Sequence, residues 1–249
     1  MRMTYSSILA VALTVAACGG GGNSGASPQG TSNSSNPPPQ TQGTSSDQPK
    51  STGGLIEYYG DSTIWGWKTN SADTSQGERV ATPAPAAFAA ALPTVPKYDV
   101  VNEGQSGSTA CGLLRGEDGK HPAWDEQLDQ YKGKWVIINH GINDQKAYNL
   151  DTYTDCLRQL VVKAKAKGRQ VILETPNPIV PANLDNHVQA MKTVAAQEGA
   201  KVIDQYKMLT DYLAGRSVSE ICPDGLHPTQ EVYIMKGQFS AKEFARLYP

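Results

Sequence analysis

The sequence has no excess of basic charge. Lys and Arg total 22 against 24 Asp and Glu, so the net charge is −2 at pH 7, and Lys and Arg form no contiguous run. A nucleic-acid-binding surface needs a positive field that attracts phosphates. We therefore expect no nucleic-acid partner.

Long apolar runs are also missing. The apolar run near the N-terminus, in MRMTYSSILAVALTVAAC, has only about a dozen residues, whereas a membrane-spanning helix needs roughly 20. One early positive charge precedes this run and small residues follow it, a pattern typical of a secretory signal peptide. We expect residues 1–17 to be removed and the mature protein to be exported.

Cysteine and histidine are scarce. The chain has four of each, and they are dispersed rather than closely spaced as in zinc sites. We therefore expect no metal site.

Residues 19–54 are almost entirely Gly, Ser, Asn, Gln, Thr and Pro. So few apolar side chains cannot offset the entropy lost on ordering the backbone. We expect residues 18–54 to form a disordered tether and residues 55–249 to form a single domain.

Strand-like and helix-like patterns alternate from residue 55 to the end. Short apolar, mostly β-branched runs predict strands at residues 55–59, 98–102, 135–139, 170–174 and 201–204. Helical patterns occupy residues 84–92, 124–131, 153–167, 184–198 and 229–247. This alternation predicts an α/β fold in which helices cover both faces of a parallel sheet of about five strands.

Polar stretches stand where ligands bind in such sheets, at or beyond the carboxyl ends of the strands. The first strand ends in Gly-Asp-Ser (60–62), the second in NEGQSGSTA (102–110) and the third in NHGINDQ (139–145). A fourth stretch, CPDGLHPT (222–229), precedes the last helix.

These four stretches, in this order, resemble the signature blocks of the SGNH (GDSL-like) hydrolase family. The matching motifs are Gly-Asp-Ser at 60–62, Ser-Gly-Ser-Thr at 106–109, Gly-Ile-Asn-Asp at 141–144 and Asp-Gly-Leu-His-Pro at 224–228. Thr63 stands where the family usually has Leu. The resemblance implies a three-layer α/β/α, flavodoxin-like fold and a serine hydrolase that needs no cofactor.

The motifs also predict the catalytic residues. Ser62 is the expected nucleophile, and His227 is the expected base because Asp224, three residues earlier, can hold its other ring nitrogen. By the family pattern, the backbone N–H groups of Ser62 and Gly107 and the Asn143 side chain form the oxyanion hole. We expect Asp61 to accept backbone N–H bonds in the turn, with Asp144 acting similarly.

Three other histidines compete with His227. His121 also follows an aspartate by three residues, but no predicted strand leads into it, so we interpret it as a loop residue. His140 is either a packed side chain or a lining residue of the site. His187, at a helix start, is expected in solvent.

The end of the signal peptide, Val15-Ala16-Ala17-Cys18, resembles the lipobox of bacterial lipoproteins. That resemblance implies lipidation of Cys18, and Gly19 at the next position implies an outer-membrane anchor. The domain would face either the periplasm or the cell surface, and we expect a monomer.

Three cysteines remain after Cys18. They form one disulfide and leave one thiol, or stay reduced, or make an intermolecular link. We favour a Cys111–Cys156 pair.

The substrate is less well determined by the sequence. Aromatic residues near the predicted strand ends either stack on sugar rings or simply pack the helices on the sheet; they are Trp65, Trp67, Trp124 and Tyr148. Because no long apolar loop resembles a lipase lid, we favour short acyl esters, such as acetyl groups on a carbohydrate. The alternatives are a lysophospholipase or lipase that takes longer chains, and a non-catalytic glycan-binding lipoprotein.

Overall fold

The computed structural model describes residues 53–69 and 76–249. Within these residues, the strands are β1 (Gly54–Gly60), β2 (Trp67–Thr69), β3 (Gly77–Arg79), β4 (Tyr98–Gly104), β5 (Trp135–Asn139), β6 (Gln170–Glu174) and β7 (Lys201–Ile203). The α-helices are α1 (Ser62–Trp65), α2 (Ala84–Ala91), α3 (Ala110–Arg115), α4 (Trp124–Gln130), α5 (Asp144–Ala147), α6 (Leu150–Ala166), α7 (Asp185–Glu198), α8 (Gln205–Leu213) and α9 (Gln230–Leu247). A short 3₁₀ turn spans Val218–Glu220.

Five of the strands form one parallel sheet in the order β4-β1-β5-β6-β7. The first strand, β1, lies inside this sheet, the next strand of the sheet, β4, lies at its edge, and β5 follows on the other side of β1, which is the strand order of flavodoxin-like folds. The predicted fold class is confirmed. Because β1 and β5 are interior neighbours, their carboxyl ends and the β4 end open at one edge of the sheet.

Helices cover both faces of the sheet. On one face, Tyr59, Ile138 and Leu173 pack against apolar side chains of α3, α4, α6 and α7. On the other face, Tyr58 and Ile137 pack against α2 and α9. Successive residues of one strand thus enter opposite cores, as the period of two in a strand requires.

A disulfide joins α3 to α6 through Cys111 and Cys156. Cys222 is a free, buried cysteine beside the C-terminal loop of the candidate site. Burial raises the pKa of its thiol to about 12. The thiol is therefore protonated at neutral pH and is a poor nucleophile.

Several elements were not predicted from the sequence. The β2–β3 pair is an antiparallel ribbon outside the main sheet, and its three-residue strands are too short to give a periodic signal. Helices α3 and α8 were also missed. Strand β4 runs on to Gly104 because it pairs with β1 along its whole length.

The predicted signal peptide, the lipobox with Cys18 and most of the tether lie outside the described residues. None of the helices within 53–69 and 76–249 combines the length and the apolar character that crossing a bilayer requires.

Candidate active site

The turn between β1 and α1 presents Ser62 at the carboxyl edge of the sheet. Asp61 is fully buried and caps α1: its Oδ1 accepts the backbone N–H of Thr63 at 2.8 Å and the Thr63 hydroxyl at 2.8 Å. The first bond satisfies a backbone N–H group that has no acceptor within the first helical turn. Asp61 therefore holds the turn, and the Thr63 hydroxyl contributes to it.

Gly60 allows this turn to be tight. A Cβ atom at Gly60 would lie 2.4 Å from Cγ1 of Ile64 and 2.7 Å from the Asn139 carbonyl oxygen. Neither distance is sterically possible, so any larger residue would push α1 away from the sheet. The small residue before the Asp-Ser pair is required by packing.

Ser62, His227 and Asp224 form a continuous hydrogen-bonded chain. Ser62 Oγ lies 2.9 Å from His227 Nε2, and His227 Nδ1 lies 2.7 Å from Asp224 Oδ2. With Nδ1–H donating to the carboxylate, Nε2 keeps the lone pair that can accept the serine proton. The serine and the histidine are 165 residues apart in sequence, and only the fold brings them together.

The Asp224 carboxylate is fixed by its own turn. Its Oδ1 accepts the backbone N–H groups of Leu226 at 2.9 Å and of His227 at 2.7 Å. Burial alone would raise the pKa of Asp224, but the hydrogen bonds from His227 and these N–H groups outweigh it, so the pKa is lowered. Asp224 is therefore an anion that stabilises the protonated form of His227.

The expected oxyanion donors surround the serine. Gly107 has φ +80°, a left-handed conformation that favours glycine, and Asn143 Nδ2 donates one hydrogen bond to the Ser108 carbonyl oxygen at 3.0 Å. The second N–H of that amide remains for a ligand. The backbone N–H of Ser62, at the start of α1, has no acceptor within the helix.

A cleft of about 320 Å³ opens over these groups; it is lined by Ser62, Trp67, Ser106, Gly107, Asn143, Leu226 and His227. Trp67 forms an apolar wall, with its ring centroid 6.5 Å from that of His227. Trp65 lies 5.9 Å from Trp67 and carries the Arg79 guanidinium over its ring. Trp124, in contrast, is fully buried and donates to the Leu160 carbonyl oxygen, so it is a core residue.

The other histidines do not face the cleft. His140 is fully buried, contacts Ser108 Oγ at 3.1 Å, and burial lowers its pKa to about 3. His121 is buried between Asp118 and Glu103. The expectation for His187 was wrong: it lies on the buried face of α7 and packs on the Tyr153 ring of α6, at 4.9 Å.

A buried lysine beneath the site was not predicted from the sequence. Lys236 is fully buried in α9, and its Nζ donates to Asn177 Oδ1 at 3.0 Å. Burial lowers the pKa of Lys236, while the nearby Glu174 and Asp61 carboxyls oppose that shift. The signal was available, because Val232, Lys236 and Ser240 follow one another at helical spacing on the buried face of α9.

Among residues 53–69 and 76–249, no group of three or more His, Cys, Asp and Glu side chains could hold a metal ion.

A family model described as GDSL-like lipase/acylhydrolase matches residues 58–233, which include the Ser62 turn, the loop around Gly107 and the His227 loop. The chain belongs to this family. The expected relationship to the SGNH (GDSL-like) hydrolases is confirmed at the level of the family.

A curated protein with a similar sequence matches part of this chain. An acetylxylan esterase of Geobacillus stearothermophilus is 27% identical over 148 residues, and the match covers 52% of this chain and 64% of that protein. The chain thus matches somewhat under two thirds of the length of this curated relative.

Solved structures share the fold. A crystal structure of an acetylxylan esterase from Geobacillus stearothermophilus superposes with a TM-score of 0.59 at 24% identity, covering 78% of this chain and 93% of that one. A carbohydrate acetylesterase from Sinorhizobium meliloti gives a TM-score of 0.61 at 21% identity, covering 78% of this chain and 99% of the other.

Proposed function

We propose that the protein hydrolyses carboxylic esters through an acyl-enzyme on Ser62. The observation that carries this proposal is the unbroken chain from Ser62 Oγ to His227 Nε2, at 2.9 Å, and from His227 Nδ1 to Asp224 Oδ2, at 2.7 Å. The first distance allows proton transfer from Ser62 to His227, and the second allows Asp224 to hold the imidazole in the required tautomer. The chain opens into a cleft that can admit an ester.

In the first half of the reaction, Ser62 Oγ attacks the acyl carbonyl carbon and its proton passes to His227 Nε2. The carbonyl oxygen becomes an oxyanion, for which the N–H groups of Ser62, Gly107 and Asn143 are the proposed donors. When the intermediate collapses, the bond to the alcohol oxygen breaks and His227 protonates that oxygen. The alcohol leaves, and the acyl group stays on Ser62.

In the second half, water attacks the acyl carbon and gives a proton to His227. The new tetrahedral intermediate uses the same oxyanion donors. Its collapse releases the carboxylic acid and returns the proton to Ser62 Oγ. Asp224 stays ionised throughout and stabilises the imidazolium formed twice in each cycle.

We propose acetyl esters of a carbohydrate as the substrate class. Two similar proteins carry the names acetylxylan esterase and carbohydrate acetylesterase. The cleft of about 320 Å³ is small, and the exposed parts of Trp67 and Trp65 beside it offer flat apolar faces of the kind that stack on sugar rings. These features favour a short acyl group on a bulky polar alcohol.

Hydrolysis of p-nitrophenyl acetate, butyrate and octanoate and of acetylated xylo-oligosaccharides tests both proposals. Ser62→Ala is expected to lower kcat by about 10⁴-fold or more. Ser219→Ala, at an exposed serine outside the cleft lining, is the matched control and is expected to keep full activity. Acetate is expected to be the best of the three model esters.

Other outcomes would assign the protein differently. A rate that rises with chain length to octanoate would point to a lipase or lysophospholipase. If the protein bound glycans, hydrolysed no ester and resisted labelling of Ser62 by an organophosphonate, a non-catalytic glycan-binding protein would be the better assignment.

We also propose that the protein is a lipoprotein of the bacterial outer membrane, tethered through Cys18. The support is the signal-like N-terminus and the lipobox-like residues before that cysteine. Metabolic labelling with radioactive palmitate should label the wild type and not Cys18→Ala, and fractionation should place the label in the outer membrane. An unlabelled wild type would contradict the proposal.

A further inference from the structure

The chain contains the turn Asp-Gly-x-His-Pro twice, at residues 118–122 and 224–228. In each copy, Oδ1 of the aspartate accepts the backbone N–H groups of the third and fourth residues, at 3.0 and 2.9 Å in the first copy and 2.9 and 2.7 Å in the second. Oδ2 contacts Nδ1 of the histidine at 2.6 and 2.7 Å respectively. The two turns are built alike, yet only the second faces Ser62.

The two histidines differ in what their Nε2 atoms contact. Nε2 of His121 contacts a carboxylate, whereas Nε2 of His227 faces Ser62 and the cleft. Nε2 of His121 contacts Glu103 Oε2 at 3.2 Å, and Lys120 Nζ lies 2.6 Å from the same oxygen. The His121 side chain is 5% exposed, against 15% for His227. With a carboxylate at each ring nitrogen, His121 donates at both and keeps no lone pair for a substrate.

The charges around His121 favour its protonated form. Asp118 and Lys120 face it from its own loop, Glu103 from β4 and the Tyr59 ring from β1, at 5.6 Å. Burial opposes protonation, but the two carboxylates outweigh burial and Lys120, so the pKa of His121 is raised.

Asp118 extends this chain to Ser108. Ser108 Oγ lies 3.3 Å from Asp118 Oδ2 and 3.1 Å from His140 Nε2. Burial keeps His140 neutral, with its pKa lowered to about 3. The serine hydroxyl can therefore donate to Asp118 and accept from the imidazole N–H. Ser108 is 2% exposed, so its side chain is fixed from both sides and away from solvent.

The backbone of Ser108 contacts the oxyanion groups. It directly follows Gly107, its N–H donates to the Gln105 carbonyl oxygen at 3.0 Å, and its carbonyl oxygen accepts the Asn143 amide at 3.0 Å. A shift of Ser108 would therefore move both the Gly107 peptide and the Asn143 side chain.

We propose that the Asp118–His121 turn, held in place by Glu103, positions the oxyanion loop, which comprises residues 105–109 and carries the proposed donor Gly107. By holding Ser108, it keeps Gly107 and Asn143 aimed at the cleft. The proposal rests on the ester-hydrolase function in one respect only, that the loop serves an oxyanion; the mechanical role of the turn does not depend on it. His121 touches no substrate and is a positioning residue, not a catalytic one.

The first test is kinetic. His121→Ala is expected to lower kcat for p-nitrophenyl acetate about tenfold with little change in KM, less than the roughly 100-fold or greater cost of removing a donor outright, because the donors are displaced rather than lost. His121→Asn keeps an N–H for Asp118 and should recover most of that loss. Ser108→Ala is a milder change and should also lower kcat, by a smaller factor than His121→Ala.

A double-mutant cycle then separates positioning from general damage. In an Asn143→Ala background, the effect of His121→Ala on kcat should shrink to about threefold or less, because one of the donors it positions is already absent. An unchanged tenfold effect, a loss that appears in KM, or no rescue by His121→Asn would each overturn the proposal.

Hydrogen exchange tests the mechanical role without reference to activity. The amides of residues 105–109 should exchange about tenfold faster in His121→Ala and at the wild-type rate in His227→Ala, which disrupts the twin turn. Unchanged exchange in both His121→Ala and Ser108→Ala would refute the positioning role. If exchange responds but the wild type hydrolyses no ester, the ester function fails and the positioning role stands.

Discussion

Asp144 is a buried carboxyl group whose replacement by asparagine is expected to stabilise the protein at alkaline pH. The side chain is fully buried, its Oδ1 accepts the backbone N–H of Ala110 at 2.8 Å, and its Oδ2 finds no hydrogen-bond partner among the described residues. Burial, reinforced by the charge of Asp61, raises the pKa of Asp144 to about 7.

The sign and size of the effect follow from that shift. In the unfolded chain the carboxyl ionises near its ordinary pKa of 3.8, whereas in the folded protein it holds its proton until about pH 7. The free energy of unfolding therefore falls as the pH rises from about 4 to about 7, and above that range this group causes no further change. A shift of about three pKa units corresponds to a total loss on the order of 4 kcal/mol.

Asparagine keeps the oxygen that accepts from Ala110 and never ionises. Between pH 5 and pH 8, the free energy of unfolding of Asp144→Asn should rise relative to the wild type by about 3 kcal/mol, since part of the loss has already occurred at pH 5. Urea unfolding of Asp144→Asn and of the wild type at pH 5 and pH 8 measures this difference in the free energy of unfolding. Asp155→Asn, at an exposed position of α6, is the control and should show a pH-dependent difference below about 0.5 kcal/mol. A difference between Asp144→Asn and wild type that is constant with pH, or that falls, would refute the reasoning.

Three further results are expected. Asn143→Ala should lower kcat on p-nitrophenyl acetate by about 10²- to 10³-fold with KM nearly unchanged, and a loss confined to KM would contradict its role as an oxyanion donor. Replacing Cys111 and Cys156 together by Ala should lower the free energy of unfolding by about 4 kcal/mol, because the disulfide spans a sequence separation of 45; unchanged urea unfolding would show that the bond does not stabilise the fold. Trp67→Ala should raise KM for acetylated xylo-oligosaccharides by about tenfold and for p-nitrophenyl acetate much less, since only the sugar needs the ring face, and equal effects on both would argue against stacking.

The sheet could be predicted because its central strands β1, β5 and β6 are buried on both faces. Such strands appear in the sequence as short, nearly continuous apolar runs between polar turns, and the edge strands β4 and β7 were found as well. Elements without that signal were missed. The strands of the β2–β3 ribbon are too short to give a periodic pattern. Helix α3 is held by contacts remote in sequence, including the hydrogen bond that the Ala110 N–H donates to Asp144 and the disulfide to α6.

The candidate site was predictable wherever its geometry is local. The Asp61 cap lies one residue before Ser62 and the Asp224 carboxylate three residues before His227, so each arrangement is visible within one turn of chain. The helical spacing of Lys236 with Val232 and Ser240 was visible in the sequence, but which face of α9 is buried depends on what the helix packs against. His187 was assigned to solvent for the same reason.

The two Asp-Gly-x-His-Pro turns separate features that follow from local sequence from features that depend on tertiary contacts. The pairing of an aspartate with a histidine in each turn follows from the local sequence, because those hydrogen bonds close within four residues. The local sequence does not specify which group contacts the other ring nitrogen of each histidine. That depends on contacts across 18 residues to Glu103 for His121 and across 165 residues to Ser62 for His227, which only the packing of loops at the carboxyl edge of the sheet could decide.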